Sequence, residues 1–308
     1  MNGTIRDTVA AFRSGTLPKQ EFIAAIHALH TRLFEYPELL SQGAIARIEI
    51  DADGVDLVDR AGIRFRLNPD DHREPPLDAL NFGSFEGADE AMLERLIGPD
   101  DVVFDVGGNV GWYALRWAKS RPHCQIHTFE PAPATAARLR MNLERNTIGN
   151  VIVHECSLSD RAGTQTLFVD PALPSGAAAV DHTRSPAVTH VMVPVRTLDE
   201  VVAEIGAAPE VLKIDVEGAE LFVLRGAPIC LAQSKPVVFC EILRRWTRSF
   251  DYEANDILSL LRDAGYECFE VVGSRLRPFV MMEESTTATN FVFLHAGVHG
   301  ELRQALKD

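Results

Sequence analysis

Basic charge is what this sequence is short of. Its 308 residues hold 30 Lys and Arg against 44 Asp and Glu, a formal net charge of −14. A chain that grips phosphate backbones shows a basic face, so no nucleic-acid partner is expected. Cysteine is scarce and scattered. Cys124, Cys156, Cys230, Cys240 and Cys268 are odd in number and form no C-x-x-C pair. That speaks against a disulfide framework or a zinc site and for small buried thiols in a reducing compartment. No apolar run approaches the roughly 20 residues of a membrane span. The start, Met1 to Asp7, lacks a basic region followed by an apolar core. The expectation is a cytoplasmic protein without a membrane partner. There is no internal repeat or low-complexity segment, and no G-x-G-x-x-G dinucleotide fingerprint.

Hydrophobic residues are plentiful, at 46%, enough for a large core. Their spacing changes along the chain. Over residues 4–40, Phe22, Ile26, Leu29 and Leu33 recur at helical spacing. Gly15 divides two helices, and Thr16 and Pro18 offer starts. This stripe has two uses: packing on its own domain, or serving as a homodimer contact or lid. Residues 44–68 switch to three short strands joined at Asp53-Gly54 and Ala61-Gly62, an antiparallel meander. A linker rich in proline and acid covers 69–78. The reading is an accessory unit over 1–80 and a main domain over 81–308.

From Asp101 strands and helices alternate. Strands are expected at 102–106, 125–129, 151–154, 211–215, 236–241, 268–272 and 290–294, about seven in a mostly parallel sheet with helices on both faces. Two further strands, 164–169 and 191–195, flank some 20 residues without periodicity. That stretch reads as a substrate-covering loop or as a plain surface excursion. In an open α/β sheet the ligand sits at the carboxyl ends of the strands.

The first of these strands ends in Asp105-Val106-Gly107-Gly108-Asn109-Val110-Gly111 and then a helix. Glycines permit left-handed backbone and close approach of a ligand. The N–H groups of the helix start suit a carboxylate or phosphate. Glu130 closes the second strand, where a carboxylate can accept both ribose hydroxyls. NAD enzymes place an acid similarly. The glycine register discriminates, because Asn109 and Trp112 stand where dinucleotide folds need glycine.

The pattern D-x-G-x-N-x-G resembles motif I of class I S-adenosylmethionine (SAM) methyltransferases. Together with Phe129-Glu130-Pro131, Ser157-Leu158-Ser159-Asp160 and Leu212-Lys213-Ile214-Asp215-Val216-Glu217-Gly218-Ala219-Glu220, it resembles the FkbM family of methyltransferases, from about Phe85 to Leu294. Gly108 departs from the alanine of many members and reads as conservative. The resemblance implies a Rossmann-like class I methyltransferase fold. It also implies SAM as cofactor and methylation of a hydroxyl on a sugar or secondary metabolite, in natural-product biosynthesis. The acceptor is then a small-molecule or carrier-bound hydroxylated substrate. Alternatives are an N-methyltransferase, a SAM-binding partner without turnover, and a dinucleotide oxidoreductase.

The candidate cofactor set is Glu86, Asp105, Gly107, Gly108, Asn109, Gly111, Glu130, Pro131, Ser157, Leu158 and Asp215. Asp105 and the glycine turn take the methionine part, Glu130 the ribose, and Ser157 and Leu158 the adenine. An alcohol acceptor must lose its proton, and the candidate bases are Asp215, Glu241, Lys213 and His182. Asp215 and Glu241 close adjacent strands. Two such carboxylates either raise one pKa or bind a divalent cation such as Mg2+. Glu217 and Glu220 head a helix, where the dipole favours acids. Trp112, Tyr113 and Trp117 read as core packing.

Overall fold

The structure, a computed structural model, describes residues 4–169, 178–179 and 189–306. It opens with α1 (Ile5–Arg13), α2 (Lys19–His30), a 3-10 turn (Thr31–Phe34) and α3 (Tyr36–Gln42). Thr4 starts α1 with a reciprocal cap: its hydroxyl accepts from Asp7 N, and the Asp7 carboxylate accepts from Thr4 N. Gly15 turns the chain at φ +75°, so that Phe12 and Phe22 stack with centroids 4.3 Å apart. No residue of these helices is buried. Ile23, Leu33 and Phe34 stand exposed. Of the apolar stripe, Phe22, Ile26 and Leu29 are half-buried and Leu33 is exposed.

The meander forms as β1 (Ile45–Ile50), β2 (Val55–Asp59) and β3 (Arg64–Arg66). Ile45, Leu57, Ile63 and Phe65 are buried in the same apolar cluster as Met92, Trp112 and Trp117. The meander thus shares a core with the main domain across residue 80. α4 (Pro75–Phe82) and α5 (Gly87–Leu96) follow, then β4 (Val102–Val106), α6 (Trp112–Ser120), β5 (Gln125–Phe129), α7 (Pro133–Arg145) and β6 (Val151–His154). Next come β7 (Ser157–Leu158), β8 (Gly163–Val169), β9 (Ala178–Ala179), β10 (Thr189–Arg196), α8 (Leu198–Ile205), β11 (Val211–Ile214), α9 (Glu220–Arg225) and α10 (Pro228–Gln233). The chain closes with β12 (Val237–Glu241), α11 (Arg244–Thr247), α12 (Ala254–Asp263), β13 (Tyr266–Val272), β14 (Arg275–Phe279), β15 (Asn290–His295) and α13 (Gly300–Leu306).

Eight strands make the main sheet, in the order β14-β13-β15-β12-β11-β4-β5-β6. The five from β12 to β6 are parallel. β15 runs antiparallel between β12 and β13. Residues alternate between two buried clusters along each strand. Val103, Ile126, Val211 and Val237 lie in one, and Phe104, Leu212, Val238 and Cys240 in the other. Burial on both faces explains the near-continuous apolar runs of the parallel strands. This is the expected Rossmann-like α/β architecture with one strand more. The extra strand is β14, which folds back on β13 through Gly273 at φ +60°. Its exposed Arg275 and Arg277 mask the period around buried Leu276.

β7, β10, β8 and β9 form a separate four-stranded sheet, with β8 and β10 antiparallel over 163–169 and 189–195. The two flanking strands stand where the sequence puts them. Most of the stretch they flank, and His182 with it, lies outside the described residues. The cysteines are free, and four of them are buried. Among the described residues no helix is long and apolar enough to cross a membrane.

Candidate active site

From β4 the chain moves outward through β5 to β6, then crosses to β11 on the other side of β4. The crevice at the carboxyl ends of β4 and β11 is therefore the topological switch point, where open α/β sheets bind ligands. The glycine turn lies there. Gly107 has φ +91°, and a Cβ on it would sit 1.8 Å from the backbone oxygen of Asp215. A Cβ on Gly108 would sit 1.8 Å from Thr128 Oγ1. Both glycines let the turn press against neighbouring strands, a closer demand than ligand access alone. An alanine at 108 would require Thr128 to turn its hydroxyl away and Leu139 to give by a few tenths of an ångström. Gly107 N and Gly108 N both donate to Phe129 O, at 3.0 and 3.1 Å. Asn109 adopts left-handed backbone at φ +47°, and Gly111, at φ +90°, caps α6.

Asn109 N donates to Glu130 Oε2 at 3.0 Å, and Ala132 N donates to Oε1 at 2.9 Å. A carboxylate oxygen accepts two hydrogen bonds, so each retains one acceptor position. Burial pushes the Glu130 carboxyl up to about 7 against those two N–H donors. Pro131 follows, half-buried, before the start of α7.

Lys213 on β11 pairs in register with Asp105 on β4. Its Nζ lies 3.3 Å from Asp105 Oδ1 and 3.2 Å from Asp215 Oδ2, and 5.0 Å from the Tyr113 ring centroid. Tyr113 Oη donates to Glu86 Oε2. Burial opposes the ammonium charge, but Asp215, Asp105 and Glu86 more than reverse it and hold Lys213 above its ordinary range. That direction argues for Lys213 as a charged partner of the two acids rather than as a proton acceptor. Glu86 joins the same cluster: burial and then the Asp215 charge push its carboxyl up.

Asp215 and Glu241 meet, as their adjacent strands require. Glu241 hydrogen-bonds Asp215, and burial followed by the charges of Asp215, Glu86 and Glu220 pushes its carboxyl well above the ordinary range. That direction favours a proton on the Glu241 side of the pair. Among the described residues no group of three or more His, Cys, Asp or Glu is placed to hold a metal ion. The Mg2+ expectation finds no third protein ligand beside Asp215 and Glu241.

Glu220, at the head of α9, is buried and bonded within its own loop. Its Oε1 accepts from Gly218 N at 2.9 Å and Val216 N at 3.3 Å. Tyr252 Oη donates to Gly218 O at 2.8 Å and contacts Glu220 Oε2 at 3.2 Å. Ser157 is buried and accepts from Gln165 Nε2 at 2.7 Å. Leu158 packs in the cluster that holds Phe129. Both belong to the second sheet. Sequence reasoning missed Tyr113 and Asn142. Tyr113 reads as core, and Asn142 is a mid-helix amide. Asn142 is fully buried. It accepts from Arg66 N at 3.0 Å and donates to Val110 O at 2.9 Å, tying β3 to the glycine turn.

Comparison with known proteins agrees with this geometry. The model of the methyltransferase FkbM domain matches residues 105–268, from the Asp105 of the turn to β13. The 31-O-demethyl-FK506 methyltransferase FkbM of Streptomyces tacrolimicus is 32% identical over 196 residues, covering 54% of this chain and 73% of that protein. Methyltransferase 1 of Beauveria bassiana is 34% identical over 147 residues, covering 42% of this chain and 59% of that protein. The hexuronic acid methyltransferase AglP of Haloferax volcanii is 35% identical over 147 residues, covering 46% of this chain and 56% of that protein. The chain thus spans little more than half the length of the last two. With the glycine turn, Glu130 and the Lys213–Asp215 pair all inside the matched region, the chain belongs to the FkbM methyltransferase family.

Proposed function

We propose that the chain is a SAM-dependent O-methyltransferase acting on a hydroxyl of a sugar or secondary metabolite, free or carrier-bound. The residues suit that cofactor. Glu130 offers one remaining acceptor position on each oxygen for vicinal ribose hydroxyls. The turn ending at Gly111 presents the N-terminus of α6. Asp215, whose side chain is 31% exposed, gives the cleft an acid that a sulfonium favours. Bound there, SAM supplies an electrophilic methyl group.

Asp215 faces the acceptor side of the cleft. Lys213 holds one of its oxygens at 3.2 Å, and Glu241 lends it a hydrogen bond. Asp215 accepts the hydroxyl proton as the acceptor oxygen gains the methyl. Lys213 and Glu241 orient the carboxylate without competing for that proton. An amine acceptor, already nucleophilic, has less need of such a base. The observation that carries the reading is the meeting of Glu130, the glycine turn and the Asp215–Glu241 pair at one switch point.

Calorimetric titration with SAM and with its demethylated product tests the cofactor half. Micromolar binding by the wild type and its loss in Glu130→Ala are the expected results; equal binding by both would overturn the assignment. For the chemical half, Asp215→Asn should lower kcat on a hydroxyl acceptor by about 10²–10⁴-fold.

A further inference from the structure

The helical segment ahead of the meander is folded without a core of its own. At 9 and 12 residues, α1 and α2 fall at or below the roughly 12–15 residues under which an isolated helix is marginal in water. Packing has to support them, yet no residue from 4 to 42 is buried. Phe22, Ile26 and Leu29 are half-buried, the first of them stacked on Phe12. Outside that seam Ile5, Ile23, Leu33, Phe34, Tyr36 and Leu39 stand exposed, Phe34 at 77%. Large apolar side chains gathered on one short segment mark a contact surface. The segment is also firmly mounted. Arg60 Nε donates to Gly43 O at 2.7 Å and its Nη2 to Leu40 O at 3.0 Å, at the end of α3. Ala44 N donates to Gly83 O at 2.7 Å.

Charge says what covers this surface. Over residues 1–42, Arg6, Arg13, Lys19 and Arg32 balance Asp7, Glu21, Glu35 and Glu38. The net −14 of the chain therefore lies entirely beyond this segment. Two copies that meet elsewhere bring like charge together; here they bring none. The same balance argues against a lipid surface, which takes helices with a basic polar face. The charges are also sorted along the segment. Arg13 and Lys19 stand at the hinge before α2, and Glu35 and Glu38 follow its far end, about 18 Å away at the rise of an α-helix. Turned end for end, the face is its own electrostatic complement, as a two-fold contact requires. A stable interface takes about 20–30 residues a side, and the segment is long enough to supply them.

We infer that two copies of this chain pair through the exposed face of α2, the 3-10 turn and α3. The two-fold axis sets Arg13 and Lys19 of one copy against the partner's Glu35 and Glu38, with Ile23, Leu33 and Phe34 buried between them. The pairing stands independently of what the cleft binds.

Sedimentation velocity of the full chain across the micromolar range is the test. The expected species is a dimer, at twice 34.0 kDa. Leu33→Asp combined with Phe34→Asp should raise its dissociation constant by at least about thirtyfold, the effect of losing one dominant interface side chain. Glu35→Lys combined with Glu38→Lys should weaken it as well, and adding Arg13→Glu and Lys19→Glu to that pair should restore it. All these positions are exposed, and circular dichroism with thermal melting checks that the variants fold. A monomer at every concentration would overturn the inference, and a monomer that sediments with vesicles of phosphatidylcholine and phosphatidylglycerol would give the face to lipid instead. A dimer that keeps its affinity in the Leu33→Asp, Phe34→Asp variant would also overturn it, by placing the contact elsewhere on the chain. Failure of the charge swap to restore pairing would overturn the end-for-end arrangement.

Discussion

Lys213→Met removes a buried cation and nearly conserves volume. In the wild type, Nζ stands 3.3 Å from Asp105 Oδ1, with side chains only 2% and 1% exposed. At that separation the attraction is about 5 kcal/mol for an effective dielectric of about 20, most of it spent against desolvation of the two charges. Removing one partner forfeits the attraction and leaves the other's desolvation standing, which costs about 3–5 kcal/mol. Asp215 adds less, because its side chain is 31% exposed and water screens it. Urea denaturation at several pH values is the assay. The folded pKa of Lys213 is raised, so its contribution is fully present below the unfolded lysine value and is lost only as pH rises through the folded one. Burial already pushes the Asp105 carboxyl up in the wild type, with Lys213 opposing it. Without the ammonium that opposition is gone, the rise is larger, and the variant loses more stability than the wild type as pH rises from about 4. The gap between variant and wild type should therefore widen from pH 5 to pH 8. Adding Asp105→Asn to Lys213→Met should recover part of the loss, with a coupling of about 0.5–3 kcal/mol. A gap below about 1 kcal/mol, typical of a surface pair, would refute the reasoning. So would a gap independent of pH or an additive double variant.

Three further outcomes follow from the same cleft. Gly108→Ala places a Cβ 1.8 Å from Thr128 Oγ1 and should destabilise by about 1–3 kcal/mol; thermal melting should show part of that restored by Thr128→Ala. Glu130 is held protonated up to about pH 7 by burial, and ribose hydroxyls need the carboxylate form. Affinity for demethylated SAM should rise with pH through about 7, and Glu130→Gln should flatten the calorimetric profile. Asn142→Leu strips partners from Arg66 N and Val110 O, at about 1–3 kcal/mol for each group left buried and unsatisfied; urea denaturation and cofactor titration together would show whether the glycine turn loosens as well.

Much of the cleft was legible because its signals are local. The apolar run into Asp105, the glycines after it and the acid at Glu130 are strand, turn and strand end by short-range rules, and they stand where those rules put them. Two glycines carry a second demand. The sequence suggests room for a ligand, and Gly107 and Gly108 also face the ends of β11 and β5. Lys213 was read as a candidate base because a lysine beside an aspartate has no fixed charge state until its surroundings are known. The deciding neighbour, Asp105, lies far off in sequence and arrives through the pairing of β11 with β4. Asn142 gave no signal at all, since its partners sit on an edge strand of the meander and in the turn.

Pattern along the chain sufficed for the class of fold, the place of the turn and the identity of the acids at the strand ends, because period and turn chemistry act over a few residues. Charge states and partnerships needed the folded chain. Which carboxylate is pushed up, and which lysine is held charged, both depend on burial and on neighbours supplied by distant segments. Those are properties of a low-dielectric interior that exists only once the sheet has assembled.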